Sequence, residues 1–252
     1  MHPALDPAFS GPFDRFRGMV AGPEDTRPAV SARALIADED LGEMMIRRAG
    51  GSAAAPAARR GAASLWSQFY FAIIAVPVVA GAMLAGRRLA VGLDDVRWVI
   101  GDNGLPVAMR LDDPGAALPD RDPLGVIVEL IENHMTPLVD TVSRTARLAP
   151  RLLWCNAAVR LIWAMETAAL TVNDTAANDT ADIASIAQAT RRLLIEAPTL
   201  PSGAANPMFD MLLRPSSGAT ASYARKVCCL RYLMPGVADC GETCPLPPRN
   251  RG

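Results

Sequence analysis

From Phe69 to Gly86 the chain runs 18 residues without a charge, through FYFAIIAVPVVAGAMLAG. Such a stretch has two physical destinations. One is a bilayer, whose hydrocarbon thickness it just reaches; the other is the interior of a protein core. Pro77 sits mid-run, small residues dominate, and no second run of this kind occurs in the sequence. These features favour a buried core helix, kinked or broken at Pro77. A chain of 252 residues that is 50% hydrophobic and 20% charged can build the core such a helix needs.

The pattern on either side of the run differs. Residues 1–60 form an N-terminal extension: Pro/Gly-rich pieces around one amphipathic stretch, Ser31 to Arg48, then a linker-like Gly-Gly-Ser-Ala-Ala-Ala-Pro at 50–56. A helix is predicted to start near Ala62 and continue into the apolar run. After Gly86, RLAVGL (88–93), VRWVIG (96–101) and PVAMRL (106–111) alternate apolar and polar residues, with Asn103-Gly104 between the last two. Asn-Gly between alternating runs is a strong hairpin signal, so a three-strand antiparallel meander is predicted over about 88–111. Leu124–Leu148, Arg151–Leu170 and Ala181–Ala197 carry helical spacing, with a polar connector at 171–180. Prolines 198, 201, 207 and 215 end the helical part. The expected class is therefore α+β: mainly helical, with one small meander and an irregular cysteine-bearing end. The expected organisation is 1–60, a helical body with the meander at 61–206, and a C-terminal segment at 207–252.

Composition removes several chemistries. The net charge of −1 argues against nucleic-acid binding, which leaves a basic footprint. Only Lys226 is lysine and only His2 and His134 are histidine, so Schiff-base lysines and multi-histidine metal sites have little to work with. No G-x-G-x-x-G opens a helix and no G-x-x-x-x-G-K-[ST] occurs, which removes the familiar nucleotide loops. His134, in ENHMTPLV, has no second histidine at helical spacing and reads as a helix-face residue. Trp66, Trp98, Trp154 and Trp163 read as core, with one of them able to wall a ligand cleft. The first thirty residues hold no apolar core of secretory length, so a cytoplasmic, reducing compartment is expected. Peripheral contact with the inner membrane stays open.

What composition does supply is thiol. Four of five cysteines, Cys228, Cys229, Cys240 and Cys244, lie in the order C-C-x10-C-x3-C. Pro235-Gly236 between them favours a tight reversal that folds the two pairs together. In a reducing compartment such a group reads as a metal site. Structural zinc prefers C-x2-C knuckles over adjacent cysteines. A [2Fe–2S] group asks for two thiolates on each of two irons and spreads its ligands more widely. The spacing thus favours iron–sulfur over zinc, and either over inert thiols. Cys155, alone on an apolar helix, reads as a small core residue, and Asn156 beside it as a holder of a backbone turn or of the cysteine segment.

CCLRYLMPGVADCGETCPL resembles the C-terminal signature of the FhuF-like ferric iron reductases, including Tyr232, Pro235 and the Cys-Pro-Leu ending at Leu246. Trp66…Tyr70…Pro77, His134…Pro137-Leu138, Trp154-Cys155-Asn156-Ala157-Ala158 and Asn206-Pro207 resemble the same family. The likeness extends from about Ser64 to the tail and does not reach residues 1–60. One departure stands out: the family closes with C-x2-C, whereas Gly241, Glu242 and Thr243 make it C-x3-C here. The resemblance implies a [2Fe–2S] cluster held by Cys228, Cys229, Cys240 and Cys244, with the potential tuned by the altered turn. It implies one-electron reduction of a ferric siderophore, of hydroxamate type, with a ferredoxin or flavoprotein as electron donor. Arg225, Lys226, Arg231, Arg249 and Arg251 against Asp239 and Glu242 leave the tail net positive, which either favours a reduced cluster and steers an acidic donor or solvates an exposed tail. Two other readings remain: a non-enzymatic binding module with structural zinc, and a membrane-anchored protein using residues 69–86.

Overall fold

A computed structural model describes residues 1, 3–50, 55–173, 180–214, 223–238 and 240–246. The linker core at 51–54, most of the polar connector, Pro215, Asp239, Pro248, Arg249 and Arg251 lie outside the described residues.

Two 3₁₀ helices, Pro3–Ala8 and Gly11–Met19, open the chain; they bury Leu5, Phe13 and Phe16 in the common core, and Phe9 joins them from the bend between. Strands β1 (Val20–Ala21) and β2 (Ala29–Ser31) follow. The amphipathic stretch is two helices, α1 (Ala32–Ala37) and α2 (Glu39–Ala49), because Asp38 is extended and caps α2 by accepting from the Leu41 amide. Then α3 (Pro56–Met83) takes the apolar run as far as Met83 as one helix that continues through Pro77. It is the expected buried core helix; of the two readings at Pro77, kinked or broken, it is not broken.

α3 is the one helix among the described residues long and apolar enough to cross a bilayer, and 94% of its most apolar window is buried inside the protein. It is the central post of the fold. On it pack α6 (Pro150–Asn173), the sheet, and the helices α4 (Leu124–Leu130) and α5 (Thr136–Ala146). A π-helical turn, Ile131–Met135, joins α4 to α5. α7 (Thr180–Glu196) lies along α6. The predicted helical spans are thus present, and the mainly helical α+β class holds.

The meander is built differently from the expectation. β4 (Val96–Ile100) and β5 (Pro106–Leu111) form the predicted antiparallel hairpin, with Gly104 at φ +80° in its turn. Their outer neighbours, however, come from the N-terminal extension: the sheet order is β1-β5-β4-β2, with β1 parallel to β5 and β2 antiparallel to β4. Residues 88–93 alternate as a strand should, burying Leu89, Val91 and Leu93, yet their carbonyls are claimed elsewhere. Val91 O meets His134 Nδ1 at 2.7 Å, and Leu93 O accepts from the Arg33 amide at 3.0 Å. Only the start of that stretch is a strand, β3 (Arg87–Arg88), paired with β6 (Ala116–Ala117). A last short pair, β7 (Leu212–Leu213) and β8 (Ala224–Arg225), leads into the cysteine segment.

Candidate functional site

The cysteine segment is docked on the N-terminal half of α3. Ser64, Ser67 and Gln68, polar residues at i, i+3 and i+4, form a stripe on this otherwise apolar helix, and all are buried. Ser64 Oγ donates to the Cys229 carbonyl at 2.6 Å. Asn156, fully buried on α6, donates from Nδ2 to Ser64 Oγ at 3.2 Å and Ser67 Oγ at 3.0 Å, and accepts from Arg225 on β8 at 2.6 Å. Arg231 donates to Gln68 Oε1 at 2.8 Å and to the Ala238 carbonyl at 3.3 Å. Asn156 thus holds the segment, one of the two roles read from its position. The serine–glutamine stripe was not singled out from the sequence, although its spacing within an apolar helix is the signal that finds it.

Within the segment the chain reverses as predicted. Val237 N donates to Met234 O at 3.2 Å across Pro235-Gly236, and Gly236 takes φ +73°, a type II turn. Leu230 adopts the left-handed region at φ +56°, which brings its amide to within 3.4 Å of Cys228 Sγ. Gly61 on α3 admits the turn that follows, since a Cβ there would lie 2.9 Å from Leu233 Cβ. Gly241, Glu242 and Thr243, the site of the C-x3-C departure, form one 3₁₀ turn with Gly241 at φ +55°. The extra residue is absorbed in that turn, and Thr243 Oγ1 donates to the Cys240 carbonyl at 2.7 Å.

The reversal brings Cys229 and Cys240 together, Sγ to Sγ 2.9 Å. Cys229 is pushed toward the thiolate, first by the hydrogen bond from Cys240, with Arg225 and Arg231 adding to it; Cys240 is correspondingly held protonated. The Cys228 thiol is pushed up by burial and by its neighbours Cys229 and Cys244, so all four thiols share one electrostatic neighbourhood. Even so, among the described residues no three His, Cys, Asp or Glu side chains converge to hold a single metal ion. Cys155 is fully buried, and its Sγ contacts the Met211 carbonyl at 3.5 Å and the Val227 carbonyl at 3.8 Å, so it sits in the core just behind Cys228.

Arg225 and Arg231 act on the Cys229 thiol as nearby positive charges, and Arg160 on α6 couples to both of them. Arg225 is 3% exposed, and Arg160 on α6 is brought down to about 10 by burial and by the like charges of Arg225 and Arg231. The Nε atoms of Arg160, Arg225 and Arg231 are buried without a hydrogen-bond partner. Like charges coupled in this way, with Arg225 itself buried, call for anionic charge. Thiolates are the donors at hand.

A scan against family models matches residues 64–220 to the ferric iron reductase FhuF-like transporters. The chain belongs to that family. The matched span of this FhuF-like chain takes in α3, the hairpin and α4 to α7, and it ends before Cys228. The chain is also 22% identical over 182 residues to the ferric siderophore reductase of Escherichia coli K12. That alignment covers 71% of this chain and 63% of the relative, so the chain spans less than two thirds of that protein's length. The family likeness read from Trp66, Tyr70, Pro77, His134, Trp154 and Asn156 falls inside the matched residues.

His134 itself is core. It is fully buried in the π turn; Nδ1 must carry the proton toward the Val91 carbonyl, so Nε2 accepts from the Tyr70 hydroxyl at 2.6 Å. Burial lowers its pKa to about 4, which keeps it neutral. Trp66, Trp98 and Trp154 are buried as expected, and Trp163 faces a cleft between α6 and α7.

Proposed function

We propose that this chain is a cytoplasmic ferric-siderophore reductase whose redox centre is a [2Fe–2S] cluster held by Cys228, Cys229, Cys240 and Cys244. The observation that carries it is the Cys229–Cys240 contact backed by Arg225 and Arg231. Four soft donors in one electrostatic neighbourhood suit a two-iron group, which takes two thiolates on each iron. Bound there, the group supplies one-electron transfer near its ligands.

The residues divide the remaining work. The thiols supply ligation, Ser64 and Asn156 fix the backbone that carries Cys229, and the guanidinium groups balance negative charge and favour an added electron. One electron enters from a reduced ferredoxin or flavoprotein and leaves on the siderophore iron, taking Fe(III) to Fe(II). The hard oxygen ligands hold Fe(II) more weakly, and the iron is released while the chelator takes up protons. No general acid or nucleophile is required at the protein.

Anaerobic purification tests this. A brown protein that bleaches on reduction, with iron and acid-labile sulfide at about two each per chain, is expected, together with reductant-dependent Fe(II) release from ferric siderophores. Cys244→Ser is expected to lose both. A colourless zinc protein would overturn the proposal, as would full activity in Cys244→Ser.

A further inference from the structure

In the middle of the core lies a polar pair that the proposed reaction does not use. The Tyr70 hydroxyl on α3 donates to His134 Nε2 at 2.6 Å, and His134 Nδ1 is spent on the Val91 carbonyl at 2.7 Å. Both side chains are fully buried. Two apolar residues of the same shape fill such a space with no polar group to satisfy, so packing alone gives no reason for a phenol and an imidazole there. The backbone is also adjusted around the contact: His134 stands in the one π-helical turn among the described residues, a feature that recurs at functional positions.

The surroundings are aromatic. The Tyr70 ring lies 3.9 Å from Trp98 and 5.2 Å from Trp66, centroid to centroid, close enough for an electron to pass from ring to ring. Losing one electron turns a phenol or an indole into a strong acid, and the radical settles where that proton has a base to go to. Neither indole N–H has a hydrogen-bond partner, whereas the phenol faces the one lone pair His134 keeps free. Burial weakens that imidazole as a base, yet it stays far more basic than an oxidised phenol. The cation left on His134 is buried, so the site gives its electron to strong oxidants only. The low-potential cycle of an iron–sulfur centre leaves it untouched.

We infer that Tyr70 and His134 form a one-electron oxidation site that draws oxidising equivalents away from the cysteine segment. α3 couples the two places. Ser64, bonded to the Cys229 carbonyl, precedes Tyr70 by six residues, about 9 Å of helix rise, and Gln68, bonded to Arg231, precedes it by two. The oxidant rests on the proposed reductase function; the pair itself does not. Iron(II) released there gives one electron to hydrogen peroxide, which splits into hydroxide and hydroxyl radical. The hydroxyl radical takes a hydrogen atom from a cysteine thiol, leaving water and a thiyl radical. The thiyl radical takes one electron from Tyr70 and a proton from water and is a thiol again, while the phenol proton moves to His134 Nε2. One electron from the ferredoxin or flavoprotein donor then restores the phenol, and His134 returns its proton.

The test detects the radical directly. The chain has three tyrosines, and Tyr223→Phe combined with Tyr232→Phe leaves Tyr70 as the only one. That protein, grown on ring-deuterated tyrosine, is flash-oxidised with tris(bipyridine)ruthenium(II) and persulfate, frozen, and read by electron paramagnetic resonance. A phenoxyl signal narrowed by the label is expected, with an exchangeable-proton coupling from His134 that disappears in D2O. Adding His134→Gln is expected to cut the yield at least tenfold, with circular dichroism reporting the fold. No phenoxyl signal, a signal without the exchangeable coupling, or full yield in folded His134→Gln overturns the inference. Cysteine oxidation is measured alongside, on the full chain exposed to equimolar iron(II) and hydrogen peroxide. Mass spectrometry is expected to find several-fold more sulfinic and sulfonic acid at the four cysteines in Tyr70→Phe than in the wild type. Equal oxidation in the two proteins overturns the inference as well. Neither measurement needs a siderophore, so both effects in a protein that releases no Fe(II) sink the reductase and leave the tyrosine site standing.

Discussion

Ser64 Oγ and the carbonyl of Cys229 are joined at 2.6 Å across 165 residues of chain. Through this contact the helix at the centre of the core fixes the backbone of a candidate redox ligand. Asn156 is the hub behind it, bonded to Ser64, Ser67 and Arg225.

Asn156→Leu keeps the volume and removes every one of those bonds, leaving the buried Arg225 short of an acceptor. Removing a partner from a charged, buried donor costs about 3 kcal/mol, so the unfolding midpoint in denaturant should fall accordingly. Asn156→Asp should recover part of that loss through Arg225 while leaving the two serines without their donor. Equal stability of all three proteins would show that the network is incidental.

Gly61→Val tests the docking of the turn at Leu233. The added Cβ meets Leu233 Cβ at 2.9 Å and Met234 Sδ at 3.2 Å, so the segment must lift away from α3. Overpacking of this kind costs about 1–3 kcal/mol. The holoprotein should release its iron to a chelator several-fold faster, with the far-UV circular dichroism of the body unchanged.

Arg231→Gln keeps a donor near Gln68 and removes one positive charge beside the thiols. Loss of a nearby cation disfavours the reduced, more negative state. The midpoint potential is expected to fall on the order of tens of millivolts, read by spectroelectrochemical titration. A potential unmoved within error would mean that the charge does not reach the centre.

His134 gives a pH dependence of known sign. Its pKa is held at about 4 by burial and rises to about 6.5 when the chain unfolds. Between these values the unfolded state binds the extra proton, so stability is full above about pH 6.5 and declines as pH falls toward 4. The decline is on the order of 3 kcal/mol from this residue alone. Denaturant titrations of His134→Gln across this range should be flatter than those of the wild type.

Much of this was legible beforehand. The helices announced themselves by apolar spacing, the 96–111 hairpin by Asn103-Gly104, and the reversal of the cysteine segment by Pro235-Gly236. What could not be read was who pairs with whom. Residues 88–93 have a strand's alternation, but His134 and Arg33 take the Val91 and Leu93 carbonyls. Val20 and Val30, from a region with few recognisable features, supply the sheet's outer strands instead. Pairing is a long-range property, and local pattern carries no address for it. The converse holds at the candidate site: Ser64, Ser67 and Gln68 were visible as polar residues at helical spacing, but their meaning required Asn156 to be opposite.

The seat for the cysteine segment is made entirely of residues that precede it. α3 and α6 leave the ribosome well before Cys228, and they pack directly on each other. Ser64, Ser67 and Asn156 are then in place as the last described stretch of the chain arrives. If the proposed cluster is bound, its metal arrives at a scaffold already assembled, so iron starvation should leave folded, refillable apoprotein in the cell.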